Sequence, residues 1–157
     1  MSQVERKYYP FHDGVKPDAI VVHCSDPRFQ DAFRLFSQEE LKIEHPAPIV
    51  LPGSVSSVGV DFAMPKHLKT LKDQVEFMLR AGKEPKLVLI NHEDCKAYEK
   101  LRGFFKKAIH NQQADDLVKA AGLFKKLVPA LTHVRVYMAR LDPNQPIEKR
   151  VYFEKIV

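Results

Sequence analysis

Two short apolar runs, each ending abruptly in polar residue types that bind metals, constrain this chain more than any other feature. Ala19-Ile20-Val21-Val22 has the length and β-branched content of a buried strand, and it stops at His23-Cys24-Ser25-Asp26-Pro27-Arg28. Leu87-Val88-Leu89-Ile90 repeats the pattern and runs into Asn91-His92-Glu93-Asp94-Cys95. In one open parallel sheet, these strands deliver Cys24 and the His92-x-x-Cys95 pair at their carboxyl ends, where ligands and catalytic groups gather. Two thiolates and an imidazole make three soft or borderline ligands, the number a catalytic zinc takes from the protein while its fourth position stays open.

The remainder of the chain reads as the scaffold that brings those strand ends together. A length of 157 residues suits one domain with a substantial core. The longest apolar runs are too short to span a bilayer, and Met1 to Lys7 lacks the apolar segment of a secretory signal. A cytoplasmic location is therefore expected. In a reducing compartment the two cysteines are not expected to form a structural disulfide, which leaves ligand, catalytic and core roles. The net charge of +5 is spread over small pairs such as Lys106-Lys107 and Lys125-Lys126, without an aromatic-interleaved basic patch. It reads as solvation with a modest preference for anionic small molecules; neither nucleic acid nor a membrane is expected as a partner.

Residues 1–17 are polar and aromatic with Pro10, Gly14 and Pro17 as breakers, and read as an N-terminal arm; residues 18–157 read as one domain. A strand over Ala19 to Cys24 leads to a helix over Arg28 to Leu41, marked by Phe29, Ala32, Phe33 and Phe36. His45-Pro46-Ala47-Pro48 breaks the pattern, so the second strand is expected only at Ile49-Val50-Leu51. Ser54 to Pro65 reads as a small-residue loop. Leu68, Leu71, Val75, Met78 and Leu79 predict a helix over Lys66 to Arg80, with Gly82 as its stop. A strand over Lys86 to Ile90 follows. Tyr98, Leu101, Phe105, Ala108 and Ile109 predict one helix, and Leu117 to Val128 predicts another. Val134 to Ala139 is a fourth strand, and Val151-Tyr152-Phe153 returns as an antiparallel edge. The alternation implies an α/β fold: a single domain with a mostly parallel β-sheet flanked by helices.

Cys24-x-Asp26-x-Arg28 followed by His92-x-x-Cys95, each at the end of a predicted strand, resembles the signature pair of the β-class carbonic anhydrases. The order of elements is similar to that family over roughly residues 18–156. The resemblance implies zinc held by Cys24, His92 and Cys95, with Asp26 and Arg28 as a hydrogen-bonded dyad beside it. It implies that Asp26 either pairs with Arg28 or swings in as a fourth ligand and closes the site. It also implies a homodimer or higher oligomer. The activity implied is that of a zinc lyase: reversible hydration of carbon dioxide to bicarbonate by a metal-bound hydroxide. The family's Arg-x-Ala-Gly-Asn-like stretch is replaced by Leu51-Pro52-Gly53-Ser54-Val55, and Lys96 stands where a small residue commonly follows the second cysteine.

Each residue also has a plainer role to weigh. Buried cysteines act as small hydrophobes, and an exposed Asp26-Arg28 pair would contribute little. Two cysteines at facing strand ends with a histidine between them favour a metal, and a dyad beside a ligand favours orientation of that metal's surroundings. His23 alternates with Cys24 and is expected on the opposite face, packed in the core. Glu93 and Asp94 read as a solvated turn, and Tyr98 and Phe105 as helix core. His12, His45, His67, His110 and His133 lack paired spacing. Other readings of the same residues are a closed, structural Cys2HisAsp zinc site, a hydrolase of carbonyl sulfide or carbon disulfide, and a thiol protein using Cys24 and Cys95 directly.

Overall fold

The computed structural model describes residues 6–81 and 85–156. At its centre β1 (Ala19–His23) and β3 (Lys86–His92) run parallel, with Val22 opposite Leu89. They belong to a five-stranded sheet of order β2-β1-β3-β4-β5. β2 (Pro46–Val50) is parallel to β1, β4 (His133–Leu141) is parallel to β3, and β5 (Val151–Lys155) closes the far edge antiparallel to β4. The expected α/β architecture and its antiparallel edge are both present.

β1 and β3 are buried on both faces, which is why they read as continuous apolar runs rather than alternating ones. Val21, Val88 and Ile90 face α1 (Gln30–Glu39), whose Phe33 and Phe36 pack with Phe29, Tyr137 and Phe153. Ile20, Val22, Leu87 and Leu89 face α3 (Pro65–Ala81) and α5 (Ile109–Leu127), meeting Leu71, Val75, Leu117 and Phe124. Leu87, Leu89 and Leu117 are fully buried, and truncating such a side chain to Ala typically costs about 2–5 kcal/mol.

Four elements differ from the sequence expectation. β2 begins at Pro46 and includes Pro48. It is an edge strand with Pro46 as its first residue, and strand starts and edges are places in a sheet where a missing N–H is tolerated. The Ser54 to Pro65 stretch holds a buried one-turn helix, α2 (Ser56–Gly59). Its small residues serve close packing: a Cβ on Gly59 would lie 2.4 Å from Asp116 Oδ1. The helix expected across Tyr98 to Ile109 is broken. α4 (Lys96–Leu101) ends in a 3-10 turn over Arg102–Phe104, and the backbone is extended at Phe105. Gly103 and two aromatics make a poor helix interior. α5 instead starts at Ile109, well before Leu117. Gly82, the expected stop of α3, lies outside the described residues. Residues 6–17 carry no helix or strand, and Tyr8, Tyr9 and Phe11 in that arm are exposed.

Candidate metal centre

The sheet order changes direction between β1 and β3, and a crevice opens outside the carboxyl ends of the strands at such a switch point. Cys24 leaves the end of β1 into that crevice. Asp26 then caps a 3-10 turn over Pro27–Phe29: its carboxylate accepts from the Arg28 N–H at 3.0 Å, and Pro27 sits at the first position, where no N–H is needed. The Gln30 side-chain amide donates to Cys24 O at 3.0 Å and to Asp26 O at 2.6 Å, which fixes the loop's path. Sequence reading did not single out Gln30.

On the neighbouring strand, β3 ends at His92 and the chain turns through Glu93 and Asp94 to Cys95. Asp94 has φ 55°, a left-handed conformation that Asp and Asn adopt more readily than most residues. Glu93 pins the turn to β4: its N–H donates to Ala139 O at 2.9 Å, and its Oε2 accepts from Leu141 N–H at 2.9 Å. The turn is thus anchored at Glu93, rather than simply solvated.

The result is one compact cluster. Cys24 Sγ, Cys95 Sγ and a His92 ring nitrogen lie within 4.8 Å of one another, all buried. The sulfurs are 3.9 Å apart, far beyond a disulfide bond of about 2.05 Å. Two sulfurs sharing a tetrahedral metal at about 2.3 Å each would sit about 3.8 Å apart. His92 Nδ1–H donates to Glu93 O at 2.6 Å, since a carbonyl can only accept. That bond sets the tautomer and leaves Nε2 with its lone pair bare. Nε2 is buried without a hydrogen-bond partner, a costly arrangement for a polar atom that has nothing to bind. The donor set therefore fits a metal ion.

Electrostatics point the same way. The hydrogen bond with Cys95 holds the Cys24 thiol well below its ordinary range, helped by the Gly53 N–H donating to its Sγ at 3.3 Å and opposed by burial. Cys95 is pushed up by the same shared proton and by burial. One thiol of the pair is thus eased toward the thiolate form that a metal requires.

Asp26 stands beside this cluster, its carboxylate 4.0 Å from His92 Nε2 and its side chain only 10% exposed. Arg28 Nη2 donates to Asp26 Oδ2 at 2.7 Å and Nε donates to both carboxylate oxygens at 3.1 and 3.2 Å. This fork holds the Asp26 carboxyl down to about 2. Arg28 also reaches Asp94, donating from Nη1 to Oδ2 at 2.7 Å and from Nη2 to the carbonyl at 2.9 Å. Lys96 Nζ lies 3.4 Å from Asp94 Oδ1.

The structure brings together every residue the sequence placed at the site: Cys24, Asp26, Arg28, His92 and Cys95. His23 alternates with Cys24 along β1 and packs in the core against Phe33, with ring centroids 4.6 Å apart; that phenyl ring also lies 6.2 Å from His92, and His23 is not among the clustered ligand atoms. His12, His45, His67, His110 and His133 stand outside the cluster. Tyr98 is buried as expected but is not merely apolar core. Its hydroxyl donates to Asp116 Oδ2 at 2.8 Å, and Gln112 Nε2 donates to Oδ1 at 2.7 Å. Asn91 Nδ2 donates to Tyr98 Oη at 3.1 Å, and Gln113 Nε2 donates to His92 O at 2.7 Å. This network ties β3 to α5 directly behind a proposed ligand. Asp116 is 1% exposed, and burial raises its carboxyl to about 6.

No protein-family model matches the chain, and no curated protein sequence does. The fold is similar to the crystal structure of beta-carbonic anhydrase isoform I from the protozoan Trichomonas vaginalis. The TM-score is 0.57 at 11% sequence identity, over 96% of this chain and 88% of that one. The chain therefore has a carbonic anhydrase-like fold, and what its site does has to be argued from its own residues.

Proposed function

We propose that this protein is a zinc-dependent carbonic anhydrase that hydrates carbon dioxide reversibly to bicarbonate. The observation that carries the reading is the cluster of Cys24 Sγ, Cys95 Sγ and the bare His92 Nε2 at the switch point of the sheet, with an ionised carboxylate beside it. Three protein ligands of this type are those of a catalytic rather than a closed structural zinc. Bound zinc supplies Lewis acidity that lowers the pKa of water from about 15.7 toward about 7, which provides a nucleophile at neutral pH.

The protein's own residues do the rest. Asp26 accepts a hydrogen bond from the attacking water and orients its lone pair. With its carboxyl held near 2, Asp26 is too weak a base to keep a proton at neutral pH, so the proton released on forming bicarbonate passes to solvent. Arg28 keeps Asp26 ionised and aimed away from the ligand position, because a guanidinium fork fixes both oxygens of a carboxylate. That clamp favours an open site over one in which Asp26 fills the fourth position. The reading includes a cytoplasmic setting, which suits two buried thiols not joined as a disulfide. It also includes a homodimer, for which exposed Tyr8, Tyr9 and Phe11 offer apolar surface to a second copy.

Stopped-flow carbon dioxide hydration on protein of measured zinc content tests the reading, with Asp26→Ala and zinc-stripped protein run alongside. Turnover that rises with pH and disappears on stripping is expected. A fully loaded protein with no rate above buffer between about pH 6.5 and 9 would overturn it.

A further inference from the structure

A second cavity of about 450 Å³ lies between α3, α4 and the loop after β2, and none of the proposed metal ligands lines it. Its volume is within the range of about 300–1,000 Å³ typical of small-molecule sites. The walls are apolar, from Leu51, Met64, Leu71 and Leu101. Two features are not those of a packing defect. Ser54, 3% exposed, lines the cavity with a buried Oγ that has no hydrogen-bond partner. Leaving a buried hydroxyl unpaired is unfavourable unless something else completes it. Exposed Lys66, His67 and Lys100 also line the cavity, and no carboxylate does. Among the described residues, neither Lys66 nor Lys100 is paired with an acid. The rim therefore carries two lysines and no acid, over apolar walls and three buried serines, Ser54, Ser56 and Ser57, among which Ser54 has the fully buried Oγ without a partner.

We propose that this cavity binds a small monocarboxylate whose flat or extended apolar body ends in a hydroxyl. The carboxylate meets Lys66 and Lys100 at the rim, the body fills the apolar space, and the distal hydroxyl pairs with Ser54 Oγ. A purely apolar ligand would leave Ser54 unpaired and make no use of the cationic rim. A dianion such as phosphate would be poorly matched to the apolar walls. The assignment stands apart from the zinc reading, since Cys24, Asp26, His92 and Cys95 do not touch the cavity. The two sites are nevertheless neighbours: Gly53, one residue before Ser54, donates its N–H to Cys24 Sγ.

Isothermal titration with 4-hydroxycinnamate, cinnamate and cinnamyl alcohol tests the proposal on the metal-loaded protein, its Ser54→Ala variant and a Lys66→Glu/Lys100→Glu variant. Saturable binding of 4-hydroxycinnamate is expected, with cinnamyl alcohol weaker. Charge reversal should weaken both acids about tenfold. Ser54→Ala should weaken 4-hydroxycinnamate by up to about tenfold and leave cinnamate nearly unchanged. The charge-reversal variant alters only exposed positions, so it keeps the test decisive if the serine variant fails to fold. Three outcomes would overturn the proposal. One is no saturable binding at millimolar ligand. Another is equal affinity for the acids and the alcohol in both wild type and the charge-reversal variant. The last is a second copy covering the cavity, seen as absent ligand binding together with a sedimenting dimer that dissociates on charge reversal.

Discussion

Arg28 Nη1 donates to Asp94 Oδ2 at 2.7 Å, joining the loop after β1 to the turn between His92 and Cys95. The same guanidinium grips Asp26, so one side chain spans both strand ends that carry the ligands. Geometry at the centre therefore depends on a residue that touches none of the ligand atoms.

Asp94→Ala should accordingly lower metal affinity by about tenfold, the scale on which groups orienting metal ligands act. Asp94→Asn should recover most of that loss, because Asn tolerates the left-handed backbone and still offers an acceptor oxygen to Arg28. Competition for zinc against a chromophoric chelator measures both. Equal losses in the two variants would mean that charge, not the hydrogen bond, is what matters.

Cys24→Ser, His92→Ala and Cys95→Ser should each lose stoichiometric zinc. In the wild type, metal bound to the folded state alone should add about 2.7 kcal/mol of stability at a free concentration a hundredfold above its dissociation constant. Thermal melts with and without a strong chelator read this directly. A melting temperature that ignores the chelator would contradict metal binding at the cluster.

Asp26 is depressed by Arg28 to about 2, below the unfolded value of about 3.9. Its stabilising contribution is therefore fully present above about pH 4 and lost as pH falls toward 2. It stays ionised throughout the neutral range and does not set the rise of turnover with pH. Asp26→Asn should lower the plateau of the hydration rate yet leave its midpoint within about one pH unit. A rise that vanishes in the variant would make Asp26 the titrating group.

Asp116 has the opposite sign. Its folded value of about 6 lies above that of the unfolded chain, so the folded state holds the extra proton between about pH 4 and 6. Stability should fall across that window as pH rises, by at most about 3 kcal/mol at 1.36 kcal/mol per unit. Asp116→Asn should flatten the slope, since an amide can still accept from Tyr98 and Gln112 can flip to meet it. Urea denaturation at stepped pH measures it, and an unchanged slope in the variant would remove Asp116 from the account.

Much of this was readable from residue order, for physical reasons that differ by element. Strands buried on both faces leave unbroken apolar runs, so β1 and β3 announce themselves, and the ligand residues stand where those runs stop. β2 was shortened by Pro46 and Pro48 because nothing in a sequence says which strand will lie at an edge. The helix expected across Tyr98 to Ile109 overruns α4, because the apolar spacing continues through Gly103 although the chain breaks there. Asp116 did leave a signal. Gln113, Asp116, Leu117, Ala120 and Phe124 form the buried stripe of α5, and two polar residues on an apolar stripe require partners. Asp94 left almost none, because its role depends on a left-handed backbone and on an arginine distant in sequence.

X-ray absorption at the zinc edge of the loaded protein tests the metal centre most directly. Two sulfur ligands at about 2.3 Å and two nitrogen or oxygen ligands at about 2.0–2.1 Å are predicted, with both sulfurs lost together with zinc in Cys24→Ser/Cys95→Ser. A spectrum with no sulfur in the first shell, or zinc retained by the double variant, would contradict the account.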